Sequence, residues 1–478
     1  MKLLVNFCQA RLVLSVILLA TNGASAAQDD FDTAVEEIVS SIELPGIPDR
    51  EFDIVDFGAT EGGGEDARPA ILAAIQEAST QGGGRVVVPA GRWLSNGPVV
   101  LQSKIELHLA EGARLLFGTQ AEYYLPAVLT RWEGTEVYAY SPLIYARDVH
   151  DVAITGPGTI DGNARSEFFA WHPMEKKDQL ALRKMGAGGV PVSERQFGAG
   201  HYLRPSLIQF FEAERVLLSG YTAENSPFWV NHLVYTSHAT VRGVQVNSHH
   251  ANNDGIDVDS SRYVLIESNH FRTGDDSVVV KSGRDLDGRT IARPSEYVVV
   301  RNNDMGGEDG IALGSEMSGD IREVYFTDNV LRTGTAAIRF KSNLDRGGVV
   351  EKIRVRNMQV ESFEQLFWFQ LNYPGELGGH FPSLYHDIVF ENITVVKAQT
   401  VLEVHAPEGY PLWDVTFRNV EIQTADKSFV LENAHNLVFD NLRINGERVD
   451  GRLSWHLQCR LSGAVAGPGA IRRFPLSV

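Results

Sequence analysis

From residue 241 onward the chain repeats a six-residue unit: apolar, polar, a small or amide residue, two variable positions, apolar. The copies are VRGVQV from Val241, IESNHF from Ile266, VRNNDM from Val300 and FTDNVL from Phe326, then VRNMQV from Val355, FENITV from Phe390, FRNVEI from Phe417 and FDNLRI from Phe439. Their starts are 25, 34, 26, 29, 35, 27 and 22 residues apart, and Leu218 begins a segment of the same pattern. Repetition on this scale marks a solenoid, in which no unit buries its apolar face alone and each must stack on its neighbours. Alternation of apolar residues and the abundance of β-branched types make the unit a strand, and Asn, Asp, Ser or Gly at the third position suits a tight bend. The pattern therefore predicts an all-β fold of stacked coils whose parallel strands lie about 4.7 to 4.9 Å apart.

Upstream, Arg85 to Phe117 carries similar short runs, Val86-Val87-Val88 and Ile105 to Leu109. Helix is expected only in the N-terminal region, where Ala67 to Thr80 places Ile71, Ala74 and Ile75 on one face and would cap the open end of the solenoid. Ala164 to Pro205 breaks the pattern and reads as a long loop inserted over a cleft. Gly451 to Val478 shows no strand repeat.

The first residues change the picture of where the chain works. Lys2 and Arg11 precede the apolar run Leu12 to Ala20, which leads to Ala24-Ser25-Ala26, so residues 1–26 read as a secretory signal. The mature chain is then one β-helix domain over 27–450 with a tail over 451–478, exported to the periplasm or the medium. No later segment approaches the roughly 20 apolar residues of a membrane span, so no membrane partner is expected after cleavage. Loss of Cys8 with the signal leaves Cys459 alone and no intrachain disulfide. A formal charge of -18 argues against nucleic acid as partner, and an acidic substrate would need a local basic patch. Nothing in the sequence defines an oligomeric state.

Phase on the repeat brings chemistry together. Asp254 lies 13 residues after Val241, Asp275 and Asp276 lie 9 and 10 after Ile266, Asp309 lies 9 after Val300, and Arg339 and Lys341 lie 13 and 15 after Phe326. Similar phase on neighbouring coils means similar position around the coil, with Asp254 one rung from the Asp275/Asp276 pair. Carboxylates so close cannot all ionise, so one keeps a proton while another stays charged. That division is what glycoside hydrolysis uses, with carboxyl groups about 6.5 to 9.5 Å apart for inversion and about 5 to 5.5 Å apart for retention. Any single Asp beside Gly is also a turn signal; the coincidence of three such segments favours a catalytic site. Asp257 and Asp259 read as turn or ladder residues, and Lys281 as either a salt-bridge partner of the aspartates or a ligand for a substrate carboxylate.

These residues resemble glycoside hydrolase family 28, the polygalacturonases and their relatives, over roughly Phe52 to Gln370. The resemblance is carried by DFGATEGGGEDARPAILAAI from Asp56, VVVPAGRW from Val86, HLAEGARLLF from His108, ITGPGTIDG from Ile154 and GHYLRPSLIQF from Gly200. Further on come NSPFWVNHLV from Asn225, NNDGID from Asn252, TGDDSVVVKSG from Thr273, GSEMSG from Gly314 and IRFK from Ile338. It implies a right-handed parallel β-helix and inverting hydrolysis of an acidic, pectin-like polysaccharide without a metal or other cofactor. Asp275 then matches the general acid, Asp254 and Asp276 the pair that activates water, and Arg339 and Lys341 the basic pair that binds the sugar carboxylate. Asn225 and Trp229 match a motif near the same cleft. The family histidine before the Gly-Ser pair is missing: its place falls on Glu308 or Asp309, which points to weak action on plain polygalacturonate or to a different sugar at that subsite. A groove closed at one end by residues 164–205 would make the enzyme exo-acting. The alternatives on the same fold are a polysaccharide lyase and a solenoid that binds glycan without cleaving it.

Overall fold

The computed structural model describes residues 30–163 and 166–455. They form a right-handed parallel β-helix, with 28 strands joined in one continuous sheet. The residue that begins each repeat faces the one that begins the next: Leu218, Val241, Ile266, Val300, Phe326, Val355, Phe390, Phe417 and Phe439 make one unbroken ladder. It extends back through Ile154 to Leu107. These side chains point inward and are buried, each contributing about 1.5–3 kcal/mol by leaving water.

The third position of every repeat is explained by backbone geometry. Gly243, Ser268, Asn302, Asp328, Asn357, Asn392, Asn419 and Asn441 all have φ between 51° and 63°, the left-handed region in which Gly, Asn and Asp are least strained. The next residue adds a polar ladder inside the coil. Asn269, Asn303 and Asn329 each donate to the carbonyl that opens the preceding repeat, at Val241, Ile266 and Val300, over 3.0, 3.0 and 2.9 Å. Buried amides are thereby satisfied and the register is pinned.

A helix over residues 30–41, α1, lays Val35 and Ile38 against Leu265, Val299 and Tyr325 on the outside of the solenoid. Helix α2, Arg68–Thr80, buries Ile71, Ala74 and Ile75 and covers the N-terminal end as its spacing predicts. At the other end Glu447–Trp455 runs antiparallel to Ala434–Ile444. The start of the tail, Gly451 to Trp455, is thus strand although it lacks the repeat.

Helix is not confined to the N-terminal region. The inserted segment contains α3, Lys176–Ala187, and a further helix, α4, spans Asp285–Ile291. The insert also pairs Gln196–Phe197 with Thr135–Ala139, a strand of the hairpin that begins at Val128–Trp132. Periodicity does not announce α3 because its apolar contribution is small, with Leu182 its one buried large side chain. Polar contacts hold it: Asp178 accepts from the Tyr202 amide at 2.7 Å and pairs with His201 at 3.0 Å, and Arg183 meets Glu133 at 2.6 Å.

Candidate active site

Strands Ile256–Asp259, Val278–Lys281 and Asp309–Leu313 stack with Ile256 facing Val278 and Val278 facing Ile311. Two residues earlier on each coil stand Asp254, Asp276 and Asp309. Parallel-ladder bonds run past them, from the Gly255 amide to the Asp276 carbonyl at 2.9 Å and from the Ser277 amide to the Asp309 carbonyl at 2.8 Å. The Asn252-Asn253-Asp254-Gly255 turn is built for this place. Asn252 has φ 59°, the Asn253 amide donates to the Ser226 and Phe228 carbonyls, and a Cβ on Gly255 would sit 2.4 Å from the Ser277 carbonyl oxygen.

Asp254, Asp275 and Asp276 each bring one oxygen within 4.8 Å of the others, and all three line a cleft of about 510 Å³. The phase of the repeat thus places them together as expected. Their environments differ. Burial, then the charges of Asp257, Asp275 and Asp276, pushes the Asp254 carboxyl well above the usual range. Burial and the neighbouring Asp276 raise Asp275 to about 7. For Asp276 burial acts upward too, but Lys341 and Lys281 outweigh it and hold the carboxyl below its ordinary value. One group keeps a proton to near neutrality while its neighbour is ionised.

The basic pair is not free. Lys341 Nζ lies 2.9 and 2.6 Å from the two oxygens of Asp276 and 3.6 Å from Asp309. Arg339 donates to Asp309 at 2.9 Å and to Gln370 at 2.6 Å, and packs over Trp368 at 4.0 Å. Asp309, in one of the two candidate places of the histidine, is fully buried, whereas Glu308 is exposed. Burial and Asp276 raise the Asp309 carboxyl to about 6. Lys281 bonds Glu316 at 3.1 Å, approaches Asp257 and Asp254 at 3.9 and 4.0 Å, and lies over Trp229 at 4.7 Å. The salt-bridge reading of Lys281 is the one its contacts support. Trp229 and Lys341 line the cleft; Asp309, Arg339 and Asn225 do not. Asn225 instead donates to Asp161 at 2.9 Å.

Sequence reasoning missed several groups in and behind the cleft wall, Asp257 behind it and the others lining it. Asp257, set aside as a ladder residue, is buried with both oxygens lacking a hydrogen-bond donor, and burial drives its carboxyl upward. Glu316, Arg284, Glu133, Arg183, Tyr373 and Glu376 line the cavity. Glu316 lies within the GSEMSG motif, which was the one available signal. Among the described residues the three aspartates are the set spaced to hold a metal ion, but Lys341 and Lys281 already carry positive charge there, and a cation would have to enter against both.

A groove of stacked strands carrying a protonated carboxyl beside an ionised one has the acid and base division that glycoside hydrolysis uses. Comparison with known proteins gives the particular family. The model of the family described as Glycosyl hydrolases family 28 matches residues 119–440. A probable polygalacturonase of Vitis vinifera is 30% identical over 414 residues, covering 82% of this chain and 78% of its own. The solved hyperthermoactive exopolygalacturonase of Thermotoga maritima superposes with a TM-score of 0.85 at 38% identity, over 89% of this chain and 99% of its own. A family 28 exopolygalacturonase of Yersinia enterocolitica shares the fold, with TM-score 0.72, 22% identity and coverage of 86% and 77%. The chain belongs to glycosyl hydrolases family 28 and is a glycoside hydrolase.

Proposed function

We propose that the protein hydrolyses galacturonate-containing, pectin-like chains from one end, with Asp275 as general acid and Asp276 and Asp254 activating water. The observation that carries this is the contrast between neighbours: Asp275 holds its proton up to about pH 7 while Asp276 is kept ionised by Lys341. Asp275 donates its proton to the glycosidic oxygen as the bond to the leaving sugar breaks. Asp276 accepts a proton from the attacking water, and Asp254, whose Oδ1 has no other partner, orients that water. The substrate class follows the polygalacturonases and exopolygalacturonases to which the chain is similar.

Action from the end is supported by the course of α3. Glu175, just before it, bonds Arg204 at 2.7 Å, and Arg204 bonds Asn252 beside the catalytic turn at 2.7 Å. Further along, Arg183 bonds Glu133 and Glu376, which also line the cleft. The helix is thus tied at its start to the Asn252 turn and farther along to residues that line the cleft, contacts that support a groove closed on that side. Export as a single catalytic unit rests on the N-terminal pattern, which lies outside the described residues; no described helix is long and apolar enough to cross a membrane.

The test is a digestion series on defined oligogalacturonides and rhamnogalacturonan fragments, with Asp275→Asn alongside. Release of terminal units by the wild type alone is expected. Random mid-chain products exclude end action, an unsaturated product absorbing in the ultraviolet indicates a lyase, and binding without turnover indicates a glycan-binding solenoid.

A further inference from the structure

An acidic sugar entering this cleft meets walls whose charge is nearly balanced. Six lining residues are acidic: Glu133, Asp254, Asp275, Asp276, Glu316 and Glu376. Five are basic, and four of these are taken. Arg183 is paired with Glu133 and Glu376, Lys281 with Glu316, Arg284 with Glu316 at 2.9 Å, and Lys341 with Asp276. The fifth is Lys176, at the start of α3, whose side chain is exposed and whose hydrogen-bond partner is neutral: Nζ lies 2.8 Å from Oε1 of Gln179. That amide is itself oriented, because Gln179 Nε2 donates to both oxygens of Glu133 at 3.0 and 3.1 Å. Glu133, Gln179 and Lys176 thus form a chain that ends in an ammonium held at the cleft wall.

We infer that Lys176 is a specificity-determining residue, receiving the carboxylate of the sugar unit that lies against α3 at the closed end of the groove. The inference rests on end action as proposed above. Among the described lining residues it is the cation whose charge no carboxylate already neutralises, so a uronate gains there a charge-assisted hydrogen bond without breaking an ion pair. At the other four cations a substrate carboxylate must displace an acidic partner, and at Lys281, Arg284 and Lys341 that partner is buried and would be left uncompensated. Lys176 touches the sugar acid group and not the reacting bond. It binds ground state and transition state alike, so its loss raises KM and leaves kcat nearly intact.

The experiment compares the full-length enzyme with Lys176→Met and Lys176→Arg on two trimers, trigalacturonate and its analogue whose terminal unit at the closed end has the carboxyl reduced to a primary alcohol. Lys176→Met should raise KM for trigalacturonate about tenfold, a change of about 1.4 kcal/mol, with kcat within about twofold. On the reduced analogue, wild type and Lys176→Met should have the same KM, and Lys176→Arg should recover most of the loss on the acidic trimer. An equal KM rise on both trimers, or none on either, overturns the role. Products of the wild type report separately on end action, so a mid-chain pattern sinks that reading whatever the KM ratio.

Discussion

Lys341 Nζ stands 2.6 Å from Oδ2 and 2.9 Å from Oδ1 of Asp276, and both side chains are almost wholly buried. Together with the charge of Lys281, the contact decides which aspartate is ionised, because burial alone would push Asp276 upward as it does Asp254 and Asp275. In Lys341→Met the Asp276 carboxyl should rise. Since Asp276, as the proposed base, must be ionised, the acidic limb of the pH–rate profile should move to higher pH, and kcat should fall by about 10² or more. The kcat profile against pH checks this; an unmoved acidic limb would mean that Lys341 serves the substrate and not the base.

In the mechanism we propose, the opposite limb belongs to Asp275. A general acid works only while protonated, and its carboxyl sits at about 7, so wild-type activity should decline as pH rises through neutrality. Asp275→Asn should lower kcat by roughly 10² to 10⁴ with little change in KM, and its residual rate should lose the limb near pH 7. Titration of both proteins on one oligomer provides the measurement.

The readable parts of this molecule were those with short-range signatures. The residues from Val241 to Phe439 that open each repeat form the inner ladder, since pairing in a stacked coil obliges the same side chain to recur. The aspartate cluster was legible for the same reason, as residues in one phase on adjoining coils must be neighbours. What the pattern did not reveal depends on contacts distant in sequence. Arg183 reaches Glu133 and Glu376, 50 and 193 residues away, and helix α3, tied down by such pairs, has no apolar stripe to read. Phase placed Arg339 and Lys341 near the acids but not their pairing, which depends on how far each side chain extends.

Proton binding by the site should also govern stability. The folded carboxyls of Asp275 and Asp309 lie at about 7 and about 6, above their unfolded values near 4. The folded state therefore binds more protons than the unfolded state between these limits, and stability from these groups falls as pH rises from about 4 to 7. Asp275→Asn should raise Tm at pH 8 and leave it unchanged below pH 4. Thermal melts across that range would refute the ordering if the variant were less stable at pH 8.

Arg183 fastens α3 to the wall that carries Glu376. Arg183→Met leaves Glu133 and Glu376 without that cation and frees the helix from one side of the groove. The product pattern on long galacturonans should shift from terminal units toward a spread of oligomers, while activity on a trimer changes less. A pattern identical to wild type would assign the closure to other contacts.

Stereochemistry sets two physical arguments against each other. The oxygens of Asp254, Asp275 and Asp276 approach within 4.8 Å, closer than the roughly 6.5 to 9.5 Å usual for inversion and nearer the roughly 5 to 5.5 Å of retaining enzymes. Retention, however, requires an ionised carboxylate with an oxygen free to bond the anomeric carbon. Both oxygens of Asp276 are engaged by Lys341, and Asp254 is driven toward its protonated form by burial and three neighbouring carboxylates. Neither is a ready nucleophile, whereas together they can bind one water between an acceptor and a donor. The first product should have the anomeric configuration opposite to that of the bond cleaved, as proton NMR within minutes of mixing, before mutarotation, would record. A retained configuration would require a covalent sugar ester, either on Asp276 after its release from Lys341 or on Asp254 after loss of its proton.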